Sequence, residues 1–364
     1  MIIDFANLKI AYQKHQDAFE KAMQKVLKSA TYIMGQEIDE LERELIRFTE
    51  AKQAITCSSG TDALLLALMA LDIQQGDEVI TTPFTFISTA EAIALLGAKP
   101  VFVDIDNDSY NIDHRKIEAK ISTKTKAIIP VSLFGQVPDM DKINLIAKKF
   151  NLPVIEDAAQ SFGATYKGKK SCNLSTIACT SFFPAKPLGC FGDGGAVFTE
   201  SEEMSKKIKS LRVHGQTQRY KHQYIGLGGR LDTIQASVLL VKLKHYEEDI
   251  KMRQQVAERY NSLLKNILQI PHVIKHNTSV WAQYSIRVPN RGHIIEKLRE
   301  KGIPTAVYYP CPLHLQECFK YLGYKNGDFP VSEKVSHEIM SLPMNPYLTI
   351  SEQKYTIEQL KKWL

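Results

Sequence analysis

One lysine, Lys186, lies in the run Thr180-Ser181-Phe182-Phe183-Pro184-Ala185-Lys186-Pro187-Leu188-Gly189, and a glycine cluster, Gly192-Asp193-Gly194-Gly195, follows closely. The run continues a strand-like segment, Ile177-Ala178-Cys179-Thr180. A lysine among apolar and small residues loses hydration, so its pKa falls and its neutral amine becomes a nucleophile toward carbonyls. Taken alone, such a lysine reads more readily as a solvated group beside a turn.

Two upstream segments shift that balance. Pro153-Val154-Ile155-Glu156-Asp157-Ala158-Ala159-Gln160 is an apolar run ending in carboxylates, the pattern of a buried strand with Asp157 at its C-terminal end. Open α/β sheets bind ligands at that end of their strands. A carboxylate there can hold a pyridine nitrogen protonated, and equally can cap the next helix. Cys57-Ser58-Ser59-Gly60-Thr61-Asp62-Ala63-Leu64 leads from the strand Ala54-Ile55-Thr56 into an apolar helix. Backbone N–H groups at that helix start, with the Thr61 hydroxyl, suit a phosphate; an ordinary N-cap has the same appearance. An amine nucleophile, a partner for a ring nitrogen and a phosphate cradle are together what pyridoxal 5′-phosphate (PLP) needs.

These residues fall within motifs spread over most of the chain: Ser59-Gly60-Thr61-Asp62-Ala63-Leu64, Pro83-Phe84-Thr85-Phe86, Glu156-Asp157-Ala158-Ala159-Gln160, Ser181 through Gly195, and Gly229-Arg230-Leu231-Asp232. In them the chain resembles the PLP-dependent nucleotide-sugar aminotransferases of the DegT/StrS family, which have the aspartate-aminotransferase fold. The resemblance implies that Lys186 bonds the cofactor and shuttles the proton, that Asp157 pairs with the ring nitrogen, and that Gln160 positions that pair. It places Gly60, Thr61 and Ser181 on the phosphate and Phe86 on the ring face, with Phe84 the other candidate. It also implies L-glutamate as amino donor, a nucleotide-linked keto sugar as acceptor, and a homodimer with shared active sites.

Finer features of the resemblance concern the sugar. Ser181 through Cys190 is similar to the lysine motif of enzymes acting at C3 of a UDP-2-acetamido-3-keto-hexuronic acid, which serve surface polysaccharide and lipopolysaccharide biosynthesis. Many family members carry an asparagine shortly before Arg230; Gly228-Gly229-Arg230 leaves Arg230 as the strong anion ligand there. Tyr308-Tyr309-Pro310-Cys311-Pro312-Leu313-His314 is a proline-pinned turn similar to the one that family members place over the sugar, which puts Tyr308, Tyr309 and His314 on the substrate. The rival substrates are a dTDP-3-keto-6-deoxyhexose and a UDP-4-keto-6-deoxy sugar. Dehydratases of the family have histidine at the lysine position, so Lys186 argues against that chemistry. A non-catalytic sensor keeping the fold is the rival from another class.

The elements that must position these groups are legible by period. From residue 51 to about 200, seven strand patterns alternate with helical stretches: Ala54–Cys57, Glu78–Thr81, Lys99–Val103, Ala127–Val131, Val154–Glu156, Ala178–Ser181 and Gly195–Phe198. The rhythm predicts an α/β fold with a mostly parallel seven-stranded sheet. Before it, Phe19, Met23, Val26 and Leu27 fit one helical face, and Ile38, Leu41, Leu45 and Phe48 another. Arg212 through Arg230 reads as an irregular loop, and Ile234 through Asn261 as one long amphipathic helix. The boundary is set at 1–244 for a large PLP-binding domain and 245–364 for a smaller α+β domain, with the N-terminal helices free to pack on the latter.

Composition bounds the rest. The 364 residues are 44% hydrophobic and 24% charged, ordinary for a soluble globular chain. No apolar run reaches membrane-span length and no signal-peptide pattern opens the chain, so a cytoplasmic protein with six reduced cysteines is expected. A net charge of +6 suits an anionic small molecule, and no basic block argues for nucleic acid. No metal site is expected. The acidic run Asp104, Asp106, Asn107, Asp108 lacks the glycine and distal glutamate of a calcium loop and reads as a polar turn.

Overall fold

The computed structural model describes residues 1–364. Seven strands carry the site: β1 (Gln53–Cys57), β2 (Glu78–Thr81), β3 (Lys99–Phe102), β4 (Thr125–Ile128), β5 (Ile155–Asp157), β6 (Ile177–Ser181) and β7 (Gly195–Thr199). β2 lies parallel between β3 and β4. β5 pairs in parallel with β6, and β7 runs antiparallel between β6 and β1. These three- and four-stranded sheets meet at two parallel bridges, Ile128 to Val154 and Val131 to Asp157. The pattern expected to run on to Val131 stops as a regular strand at Ile128. Pro130 has no N–H to give the ladder, and only its carbonyl pairs, with the Asp157 N–H.

The strands are apolar on both faces because helices cover both. Side chains alternate between two cores, as a pleated strand requires. Ile55, Ile177, Cys179 and Val197 pack with the helix Gly60–Ala70. Ala54, Ala178, Ala196 and Phe198 pack with Ile38, Leu41 and Leu45 of the helix Gln36–Thr49 and with Ala236 and Leu239. In register, Cys57 of β1 and Ser181 of β6 both oppose Gly195 of β7. The C-terminal ends of β1 and β6 therefore flank the start of β7, and that of β5 adjoins β6.

A second set of elements closes the opposite side of the site. β8 (Tyr284–Arg287) and β9 (Ile339–Leu342) pair antiparallel, packed by the helices Tyr246–Leu264, Arg291–Glu300 and Ile350–Lys361. The N-terminal strap joins this core: Ile3 is buried in it and donates its N–H to the Gly302 carbonyl. The helix Gln16–Ser29 instead packs on the helix Thr233–Leu243 through Phe19, Val238 and Val241.

Three local expectations change. The long helix is two, Thr233–Leu243 and Tyr246–Leu264, broken at Lys244-His245, where the His245 ring stacks on His15 at 3.9 Å. Leu27 is exposed, because the helix buries only Phe19 and Val26. The loop 212–230 contains a short hairpin, Gln216–Gln218 with Lys221–His222. The acidic run serves local structure: Asp104 accepts from the Val331 and Ser332 N–H groups at a helix start, and Asp106 from those of Asp108 and Ser109. No helix is long and apolar enough to cross a membrane.

Candidate active site

The turn after β1 is held by its own side chains. Ser59 caps the helix Gly60–Ala70 by accepting from the Asp62 N–H at 3.0 Å, and the Ser58 and Ser59 hydroxyls both donate to the Asp62 carboxylate. The first helical turn leaves the Gly60 and Thr61 N–H groups without partners, pointing with the positive end of the helix dipole. Thr61 Oγ1 lies 2.8 Å from Ser88 Oγ. Gly60 is required by close approach: a Cβ there would stand 2.6 Å from the Ser181 Cβ. This contact brings the phosphate-type turn against the end of β6.

Beyond Ser181 the chain makes a tight turn, with the Lys186 N–H donating to the Phe183 carbonyl. Lys186 lines a cavity of about 660 Å³ shared with Ser59, Gly60, Thr61, Asp157 and Gln160. Burial pulls its ammonium pKa below the ordinary lysine value, and the nearby Asp157 carboxylate partly opposes that shift. Asp157 is buried at the end of β5. Burial raises its pKa, against the Thr89 hydroxyl at 2.7 Å, the Ala159 N–H at 3.2 Å and the charge of Lys186. Gln160 is fixed at both ends of its amide: Oε1 accepts from the Phe134 N–H, and Nε2 donates to the Tyr309 hydroxyl.

The fold thus brings Gly60, Thr61, Phe86, Asp157, Gln160, Ser181, Lys186, Tyr308 and Tyr309 to one cavity. Of the two phenylalanines, Phe84 is fully buried against Phe134 and Tyr309, whereas Phe86 is 55% exposed and lines the cavity. Two residues assigned to substrate stand elsewhere. His314 is buried outside the cavity, its Nε2 3.0 Å from the Glu333 carboxylate, because a short 3-10 turn at Leu313–Leu315 points it inward. Arg230 also lies outside the cavity, beside His214, with its Nε buried and unpartnered.

The sequence reading missed Ser88 and Thr89, which sit below the cofactor-type groups, and Arg253, Gln283 and Phe5, which line the far wall. Ser88 and Thr89 carry a signal in retrospect: they are the polar start of an otherwise apolar helix, Ser88–Leu95. No group of three or more His, Cys, Asp or Glu side chains is placed to hold a metal ion.

The donor set fits PLP. A buried carboxylate stands by an amine of lowered pKa, and free N–H groups at a helix start supply the anion site. Comparison with known proteins points the same way. The chain is 51% identical over 354 residues to the UDP-2-acetamido-2-deoxy-3-oxo-D-glucuronate aminotransferase of Pseudomonas aeruginosa, covering 97% of this chain and 98% of that one. It superposes on DesV of S. venezuelae with a TM-score of 0.97 at 35% identity, covering 100% and 98% of the two chains. It superposes on NtdA of Bacillus subtilis, solved with bound cofactor PMP, with a TM-score of 0.92 at 31% identity, covering 99% and 85%. The model of the DegT/DnrJ/EryC1/StrS aminotransferases matches residues 13–361, and the chain belongs to that family.

Proposed function

We propose that this aminotransferase moves an amino group from L-glutamate to C3 of a UDP-linked 2-acetamido-3-keto-hexuronic acid. The observation that carries the reading is one cavity in which Lys186, Asp157 and the Gly60–Thr61 helix start converge. The choice of sugar is supported by the 51% likeness to the Pseudomonas aeruginosa enzyme, whose name specifies a 3-oxo-glucuronate.

PLP, when bound, supplies reversible condensation with amines and an electron sink for the carbon that loses or gains the proton. The chain supplies the rest. The Gly60 and Thr61 N–H groups, with the Thr61 and Ser181 hydroxyls, would hold the phosphate. Asp157 would pair with the ring nitrogen, and the Thr89 hydroxyl favours the charged form of Asp157 against its burial. Gln160, fixed by Phe134 and Tyr309, limits movement beside Asp157. Phe86, lining the cavity, would cover one ring face. Lys186, its pKa lowered by burial, would bond the cofactor through its amine and move the proton at the reacting carbon.

The finer architecture follows the same reading. The two bridged sheets act as one seven-stranded, mostly parallel layer within a large domain, 1–244, and residues 245–364 form the small domain. The working unit is a homodimer in which the loop ending at Arg230 reaches the neighbouring site. Phe183 and Ile225 support this, being large apolar side chains exposed in a single protomer. The enzyme works in the cytoplasm, ahead of surface polysaccharide assembly. Product NMR after incubation of the amine-loaded enzyme with a panel of nucleotide keto sugars is the test. An amine at C3 of the uronic acid is the expected product; an amine at C4, or turnover of 6-deoxy sugars alone, refutes the substrate.

A further inference from the structure

The helix Tyr246–Leu264 buries a stripe of Tyr246, Arg253, Val256, Ala257, Tyr260 and Leu264. Arg253 occupies a register position that the pattern reserves for an apolar side chain. It is only 6% exposed, and it lines the same cavity as Lys186. Its one hydrogen bond to the protein runs from Nη1 to the Trp281 carbonyl at 3.1 Å, and its Nε is buried with no acceptor. It forms no ion pair. Asp249, one turn earlier, attracts it from a distance, but bonds instead to the Tyr347 hydroxyl.

A guanidinium stripped of water and left without a counter-charge is costly, so its persistence in a cavity wall points to an anionic ligand. Gln283 adds an independent sign. It lines the same cavity, and its Oε1 is buried with no donor. An unpaired planar cation and an unpaired acceptor together match a ligand bearing a carboxylate and an N–H group. Apart from Lys186, Arg253 is the only cationic side chain lining the cavity in one protomer.

We infer that Arg253 and Gln283 form a carboxylate subsite of the active-site cavity. Arg253 binds the carboxylate through its planar fork, and Gln283 accepts an N–H of the same ligand. The proposed function bears on this only through the source of the carboxylate, either the amino donor or a uronic acid sugar.

Calorimetric titration of the PLP-loaded enzyme tests the subsite without turnover. The probes are glutarate, which has no amine to react, and UDP, UDP-glucose and UDP-glucuronate. In Arg253→Met, glutarate or UDP-glucuronate binding should weaken at least tenfold while UDP stays within twofold. Loss confined to glutarate assigns the subsite to the amino donor. Loss confined to the preference for UDP-glucuronate over UDP-glucose assigns it to the sugar. The proposal is overturned if both carboxylate probes stay within twofold of wild type, or if UDP weakens as much as they do. If the methionine variant does not fold, Arg253→Lys decides: it keeps the charge and loses the fork, so carboxylate binding should fall at least threefold at unchanged UDP affinity, and no fall overturns the subsite. Because no amine transfer is measured, failure of the enzyme on every nucleotide sugar would sink the proposed function and leave this result standing.

Discussion

Thr89 Oγ1 donates a 2.7 Å hydrogen bond to Asp157 Oδ2 in the cavity wall, and Thr85 Oγ1 lies 3.2 Å from Thr89 Oγ1. Burial pushes the Asp157 pKa up, and the Thr89 hydroxyl is the largest influence pulling it down. Activity that needs ionised Asp157 is therefore lost on the acid side. Thr89→Val removes the hydroxyl at nearly constant volume and should move that acid limb to higher pH. A hydrogen bond to a charged group contributes about 1.5–3 kcal/mol, so kcat near neutrality should fall at least about tenfold. Coincident pH–rate profiles for variant and wild type would remove Thr89 from this role.

Asp157→Asn tests the carboxylate itself. An amide cannot hold the ring nitrogen charged, and loss of one such contact in a dry site costs on the order of 3–4 kcal/mol. The variant should bind cofactor and lose most of its turnover. A kcat within about twofold of wild type, roughly 0.4 kcal/mol, would count against the assignment.

Lys186 predicts a pH dependence of stability that needs no substrate. Its folded-state pKa is lowered, so between that value and the ordinary lysine value of about 10.4 the unfolded chain binds a proton that the folded chain does not. Stability of the cofactor-free protein should therefore rise with pH through that window. Lys186→Met should lose this component of the rise, fold normally and have no turnover. The check is urea unfolding of both proteins from pH 7 to 10; parallel curves would show that the lysine is not desolvated.

Much of this site was legible because its parts sit at strand ends, where a period-two apolar run stops abruptly at a polar residue. Asp157 after Ile155 and Ser181 after Cys179 are of that kind, as is the turn after Cys57. His314 was misplaced for a physical reason: proline spacing shows that a turn exists and says nothing of which way its side chains face. Arg253 was hidden in a helix whose exposed face carries many charges, so one more drew no notice. Its burial emerges only when Tyr246, Ala257, Tyr260 and Leu264 are seen to share its stripe. The break at Lys244-His245 was missed because no glycine or proline marks it and helix-forming residues continue on both sides.

Two exposed apolar side chains predict a dilution effect. Phe183 and Ile225 are 51% and 90% exposed in one protomer, and Ile225 lies in the loop that ends at Arg230. If a second copy covers them, the enzyme should sediment as a dimer and lose specific activity when diluted below its dissociation constant. Ile225→Asp should shift the sedimentation toward monomer. A monomer with full activity would exclude the shared site.

Arg230 ends a loop whose base is anchored. The Gly229 carbonyl accepts from the Ser58 N–H, and the Gly229 N–H donates to the Arg212 carbonyl, so the segment before Arg230 is anchored on the phosphate-type turn. Arg212 is itself fixed by a buried ion pair to Glu42 at 2.7 Å. An anchored base restricts where the guanidinium can reach, and its Nε is buried with no acceptor. Arg230→Lys keeps the charge and loses the bidentate fork. If the fork holds the uronic carboxylate in the neighbouring site, kcat/KM should fall at least about tenfold with the 3-keto-hexuronic acid, roughly 1.4 kcal/mol, and much less with an uncharged 3-keto sugar on the same nucleotide. Equal losses on both sugars would move Arg230 to the nucleotide diphosphate or the cofactor phosphate. No loss on either would remove it from the site.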